Sequence, residues 1–151
     1  MRLFQFAWKM YKKYEEVVNY LIFGFLAFVV NMIAYEGAAW VIGANKEEPL
    51  LVAAATAFAW VVSVLFAYWT NHTFVFKSKV RGKELVSEFV SFVGARVATG
   101  VLEQVIMFVM TSMMNIDDTI SKLVCNFIVI LCNYVFSKLW VFKKNNKTDP
   151  K

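Results

Sequence analysis

Arg96 and Glu103 stand seven residues apart in a stretch, 85–114, that is otherwise mostly apolar. On a helix they share one face and are separated by about 10 Å of rise. That is too far for direct contact unless Arg96 extends fully, so each is left to pair across to another helix. Lys122, Asn126, Asn133 and Ser137 recur in a second such stretch, 120–140. At 100° per residue they project within about 60° of one another, as a polar stripe. Lipid cannot satisfy such a stripe, so it faces protein or water. An ionisable group at the bilayer centre costs at least ~2.5–3.5 kcal/mol, which makes it a functional candidate by default. A guanidinium forks onto phosphate oxygens in bidentate fashion, so the chemistry offered by Arg96 is capture of a phosphate. The plainer alternative is that these charges hold a helix bundle together. For Arg96 the ligand reading is the stronger, and for Glu103 a structural or counter-ion role.

Other polar residues inside apolar stretches carry less. Asn31 and Glu36 point to different faces of the stretch 17–42, and Glu36 stands within two turns of its end. Reaching the interface explains Glu36 as well as a proton-coupled role does. Thr56, Ser63, Ala67 and Asn71 form a weaker stripe in 49–70, equally suited to close helix packing. Lys138 lies opposite the main stripe, placed to snorkel to lipid headgroups. Bond-making chemistry has little to stand on. His72 is the sole histidine, sits at the end of an apolar stretch and has no Cys or Ser nucleophile arrangement beside it. There is no metal-ligand spacing and no phosphate-cradling Gly-rich loop, so neither enzymatic activity nor a cofactor is expected.

The elements that position these residues follow from hydropathy. Of 151 residues, 60% are hydrophobic and 18% charged, below the roughly 25% charged typical of soluble domains. The apolar residues gather at 17–42, 49–70, 85–114 and 120–140, each long enough to cross a bilayer, which takes about 20 residues. The blocks are too long for strands and lack period-two alternation. An all-α integral membrane protein with a four-helix transmembrane bundle is expected. Cys125 and Cys132, seven residues apart in one block, are too distant for a disulfide and read as small packing residues.

Charge sets the expected orientation. Arg2, Lys9, Lys12 and Lys13 precede the first block. Lys77, Lys79, Arg81 and Lys83 separate the second from the third, and Lys143, Lys144, Lys147 and Lys151 follow the fourth. The other two connections carry Lys46, Glu47 and Glu48, and Asp117 and Asp118. Basic segments alternate with acidic ones at every crossing, which places both termini in the cytosol. The net charge of +5 is thus spent on topology and headgroups, and no nucleic-acid partner is expected. Phe4, Trp8 and Tyr11 share a face within 1–16, as in a short amphipathic segment lying in the interface. The domain boundaries expected are 1–16 for that segment, 17–144 for the transmembrane domain and 145–151 for a polar cytosolic tail.

The chain also repeats itself. Tyr68 is followed, after five intervening residues, by Phe74-Val75-Phe76-Lys77, and Tyr134 likewise by Trp140-Val141-Phe142-Lys143. The first and third blocks align so that Gly24 matches Arg96 and Asn31 matches Glu103. Two tandem helical hairpins of parallel orientation are expected.

These features together resemble the GtrA-like family of small four-helix membrane proteins. The resemblance rests on Tyr20-Leu21-Ile22-Phe23-Gly24, on Asn71-His72-Thr73-Phe74-Val75-Phe76, on Arg96, and on the closing run from Asn133 to Phe142. It covers nearly the whole chain; His72 departs from the Arg or Lys that often follows the Asn. The family is associated with glycosylation of bacterial cell-surface polysaccharide or teichoic acid. The resemblance implies a carrier that moves polyprenyl-phosphate-linked sugar across the cytoplasmic membrane, or an adaptor that assists membrane glycosyltransferases. A drug exporter of the small four-helix type is a further reading, but Glu36 is a poor match for its buried carboxylate. On the carrier reading Arg96, Lys122, Asn133, Asn71, Asn126 and Lys138 contact lipid phosphate or substrate. Glu103, Asn31, Glu36 and His72 are their polar support. A passage only four helices wide is thin-walled, so a homo-oligomer among membrane lipids is expected.

Overall fold

The computed structural model describes residues 2–44 and 47–142. The basic residues beyond Phe142, Lys46 of the first acidic connection, and the side chains of the expected interfacial face at Phe4, Trp8 and Tyr11 lie outside the described part. Among the described residues every regular element is helical: α1 (Arg2–Ile42), α2 (Pro49–Thr70), α3 (Lys83–Phe108) and α4 (Asp118–Phe136). Tyr14 leaves helical geometry within α1, at φ −115° and ψ 16°, so the apolar run proper is Tyr14–Ile42. With Pro49–Val75, Lys83–Met113 and Ile120–Val141 it makes four helices long and apolar enough to cross a membrane.

Local chemistry sets the ends. α1 stops at Gly43, whose φ of +68° lets the Ala44 N–H reach the Ala39 carbonyl at 2.8 Å, a left-handed cap that a side chain disfavours. Pro49 opens α2 in the first turn, where no N–H is needed. Asp117 caps α4 by accepting from the Ile120 N–H at 3.4 Å.

The chain divides into two compact units, Met1–Lys77 and Ser78–Lys151. Each is a hairpin: α1 packs on α2, and α3 packs on α4. The sequence repeat reappears as a structural one. α2 continues into a π turn at Asn71–Val75 and α4 into one at Ser137–Val141. The Phe76 N–H donates to the Asn71 carbonyl and the Phe142 N–H to the Ser137 carbonyl, both at 2.9 Å. In the same register, Ala55 and Ser121, Ala59 and Cys125, Asn71 and Ser137, and Val75 and Val141 are buried in both hairpins. Small side chains at these places let the helix backbones approach, which is how apolar helices associate in lipid. Tyr20 and Phe92, equivalent on the first helix of each hairpin, meet Phe76 and Phe142 with ring centroids 6.5 and 6.2 Å apart.

Candidate functional site

The second hairpin carries a ladder of polar groups along the α3–α4 seam. Its first rung is Arg96, half-buried, with its guanidinium carbon 4.9 Å from the centroid of the Phe92 ring. Phe92 is itself only 1% exposed and is braced edge-on by Phe142. A ring engages the flat face of a guanidinium, while its N–H edge is the part that forks onto oxyanions. The Phe92 ring is thus one of the contacts that position the Arg96 guanidinium.

One turn further along α3, Thr99 is buried and its hydroxyl lies 2.8 Å from Asn133 Oδ1 on α4 and 3.0 Å from the Arg96 carbonyl. A further turn on, Glu103 forms an ion pair with Lys122, Nζ to Oε1 2.5 Å. Partners across the seam were expected for both charges of α3. Glu103 has one in Lys122, and Arg96 has among its contacts the Phe92 ring of its own helix. The two cations are thus separated by the seven-residue spacing of Arg96 and Glu103, about 10 Å of rise.

Asn133 and Lys122, two members of the expected stripe, do face α3. Asn126, between them in sequence, is exposed, and Ser137 is buried at the π turn. Lys138 reaches back along α4 to the Tyr134 hydroxyl at 3.1 Å, with its ammonium 5.5 Å from that ring.

In the first hairpin, Asn71 is buried and donates from Nδ2 to the Ala67 carbonyl at 2.7 Å, across the last turn before the π segment. Its Oδ1 is buried with no hydrogen-bond partner among the described residues. His72 packs against Tyr68, ring centroids 5.6 Å apart. Asn31 bonds Ser63 across the α1–α2 seam at 3.4 Å, and Glu36 is exposed. Thr56 turns back to the Val52 carbonyl of its own helix at 2.8 Å.

Several contributors were not singled out by sequence reasoning. Thr99 is one, and the repeat held its signal: it falls where the first hairpin has Ala27. Phe92 is another, in the place of Tyr20. Glu88, buried near the start of α3, accepts from the Ser78 hydroxyl at 2.8 Å. A cavity of about 290 Å³ lies against α3 beside the ladder, lined by Ser91, Gly94, Ala95, Ala98, Phe136 and Trp140. Among the described residues no group of three His, Cys, Asp or Glu is placed to hold a metal ion.

Register-matched positions show how unequal the hairpins are. Arg96, Thr99 and Glu103 on α3 correspond to Gly24, Ala27 and Asn31 on α1. Lys122 and Asn133 on α4 correspond to Thr56 and Ala67 on α2. Both hairpins share one packing scheme, and the second has charged and hydrogen-bonding groups where the first has apolar and neutral ones.

Comparison with known proteins gives the same frame. The family model for the GtrA/DPMS transmembrane domain matches residues 19–142. The chain is 33% identical over 130 residues to the cell wall teichoic acid glycosylation protein GtcA of Listeria monocytogenes serovar 1/2a, covering 85% of this chain and 86% of that protein. It is 34% identical over 130 residues to the GtcA of Listeria innocua serovar 6a, with the same shares covered. An uncharacterized membrane protein of Bacillus subtilis, YwcD, is 31% identical over 129 residues, 85% of this chain and 97% of that one. No solved structure matches. With the family model spanning both hairpins and relatives aligned along most of their length, this multi-pass membrane protein belongs to the GtrA/DPMS transmembrane-domain family.

Proposed function

We propose that this protein carries polyprenyl-phosphate-linked sugar across the cytoplasmic membrane to supply glycosylation of a cell-surface polymer such as teichoic acid. The observation that carries the reading is the polar ladder within membrane-spanning helices: Arg96 stacked on Phe92, Thr99 with Asn133, and Lys122 with Glu103. The names of the GtcA relatives support the glycosylation context.

The physical problem such a carrier solves is charge. The isoprenoid tail is at home in lipid at every depth. An unpaired ionised group in the hydrocarbon carries a Born cost of tens of kcal/mol. Two cations about 10 Å apart along one seam, with an amide between them, divide that crossing into shorter transfers between compensated positions. In the orientation set by the basic segments, with both termini cytosolic, Arg96 meets the headgroup first and Lys122 releases it towards the outer face. Residues 17–144 form the carrier, and bond making is left to membrane glycosyltransferases that load and unload the lipid. A homo-oligomer widens the wall around the seam.

Cells lacking the protein provide the test. The carrier reading expects surface sugar to be lost while polyprenyl-phosphate-linked sugar accumulates. Loss of both overturns it and moves the protein to an adaptor role at the earlier, cytosolic step.

A further inference from the structure

We infer that Glu103 is a stand-in for the substrate phosphate, occupying Lys122 between passages and displacing the phosphate from it during release; this rests on the carrier reading above. The pair closes at 2.5 Å, with the Lys122 side chain 53% exposed and that of Glu103 only 19% exposed. The ammonium is therefore the approachable member, and the carboxylate is held behind it in the seam. An ammonium has three N–H donors, of which the contact with Glu103 Oε1 takes one. A phosphate oxygen competes for the same charge.

A packing role is the alternative, and the molecule contains its own comparison. At the matching places of the first hairpin stand Asn31 and Thr56, which bond elsewhere: Asn31 to Ser63, Thr56 to the Val52 carbonyl. That hairpin nevertheless buries the same set of positions, Ala55, Ala59, Asn71 and Val75. A hairpin of this design closes without an ion pair at this level. What a carboxylate does well here is weaken binding. A lone lysine facing a phosphate holds it, and a carrier that holds its load does not turn over. A carboxylate on the facing helix makes Lys122 bind phosphate only by exchange, so that the headgroup leaves as the internal pair re-forms.

The measurement is binding of a short-chain polyprenyl phosphate to the purified full-length protein, with inorganic phosphate as competitor, alongside surface glycosylation in cells. Glu103→Gln removes the competing charge and is expected to bind the lipid about tenfold more tightly, within the usual range for one coupled interaction. Surface glycosylation should fall in the same variant, because release is slowed. Lys122→Gln should weaken binding, and the double variant should bind no better than Lys122→Gln alone. Should Glu103→Gln not fold, Glu103→Asp draws the carboxylate back by one methylene and is expected to tighten binding by a smaller factor. Binding by the Gln or Asp variant equal to or weaker than that of the unaltered protein overturns the inference while leaving the carrier reading intact. Absence of phosphate-lipid binding in every form, the unaltered protein included, overturns both.

Discussion

The hydroxyl of Thr99 lies 2.8 Å from Oδ1 of Asn133, joining α3 to α4 at the positions that correspond to Ala27 and Ala67 of the first hairpin. Both alanines are buried, 5% and 1% exposed, and Thr99 is 1% exposed, so the hydrogen bond is made in a closed seam. Its consequence is orientation: an amide whose oxygen is engaged by Thr99 presents its two N–H donors in a fixed direction.

Thr99→Val keeps the volume and removes the donor. Hydrogen bonds between membrane helices average about 0.6 kcal/mol and reach about 1.7. We expect a loss of stability in that range by thermal unfolding in detergent, together with a loss of surface glycosylation larger than the stability change explains. Thr99→Ser should restore both.

Arg96→Lys tests whether the planar fork matters or only the charge. Lysine keeps the cation but lacks the flat face that stacks on Phe92 and the paired donors that suit a phosphate. Glycosylation in cells should drop about tenfold or more, one good charge-assisted hydrogen bond being worth roughly 1.5–3 kcal/mol. Protein level in the membrane should be unchanged.

Asn71→Ala removes the bond from Nδ2 to the Ala67 carbonyl at the entry to the π turn. A loss of about 1 kcal/mol in thermal stability is expected. The matching Ser137→Ala should cost less, since no side-chain bond of Ser137 braces its turn among the described contacts.

Topology can be read by labelling single cysteines with a membrane-impermeant maleimide. Glu47→Cys should react in intact cells, and Lys79→Cys only after permeabilisation, as the alternation of acidic and basic connections requires. Both positions are exposed, whereas Cys125 is fully buried and Cys132 half-buried, which keeps the background low.

The exposed pair of Lys77 and Glu15, 3.3 Å apart, should matter little. Glu15→Gln is expected to shift stability by less than about 1 kcal/mol, and by less still at high salt.

How much of this was legible in the sequence depended on the kind of order involved. The four apolar helices and the two hairpins follow from composition and from the repeat of aromatic-Val-Phe-Lys, because lipid imposes length and the seam imposes small residues. Arg96, Lys122 and Asn133 were visible as polar residues in apolar runs. Their partners were not. Helical projection gives direction around an axis but not the register of one helix against its neighbour, so Glu103 and Lys122 stayed unpaired until the seam was seen. Thr99 passed unnoticed because a lone threonine in such a helix ordinarily bonds its own backbone, as Thr56 and Thr70 do. The π turns had no compositional mark at all. An extra residue in a turn is a property of the backbone path, and only the doubled motif hinted that the two helix ends behave alike.

The matching π turns that end α2 and α4 and the shared buried positions make this chain a controlled experiment that evolution has already run. The first hairpin reports what the scaffold requires without the polar ladder: alanines at 27 and 67, glycine at 24, neutral Asn31 and Thr56. The second is, in effect, a multiple variant of the first that still folds by the same plan. Each polar group it has acquired can therefore be reverted, one at a time, to a residue already known to fit its place in a hairpin of this architecture.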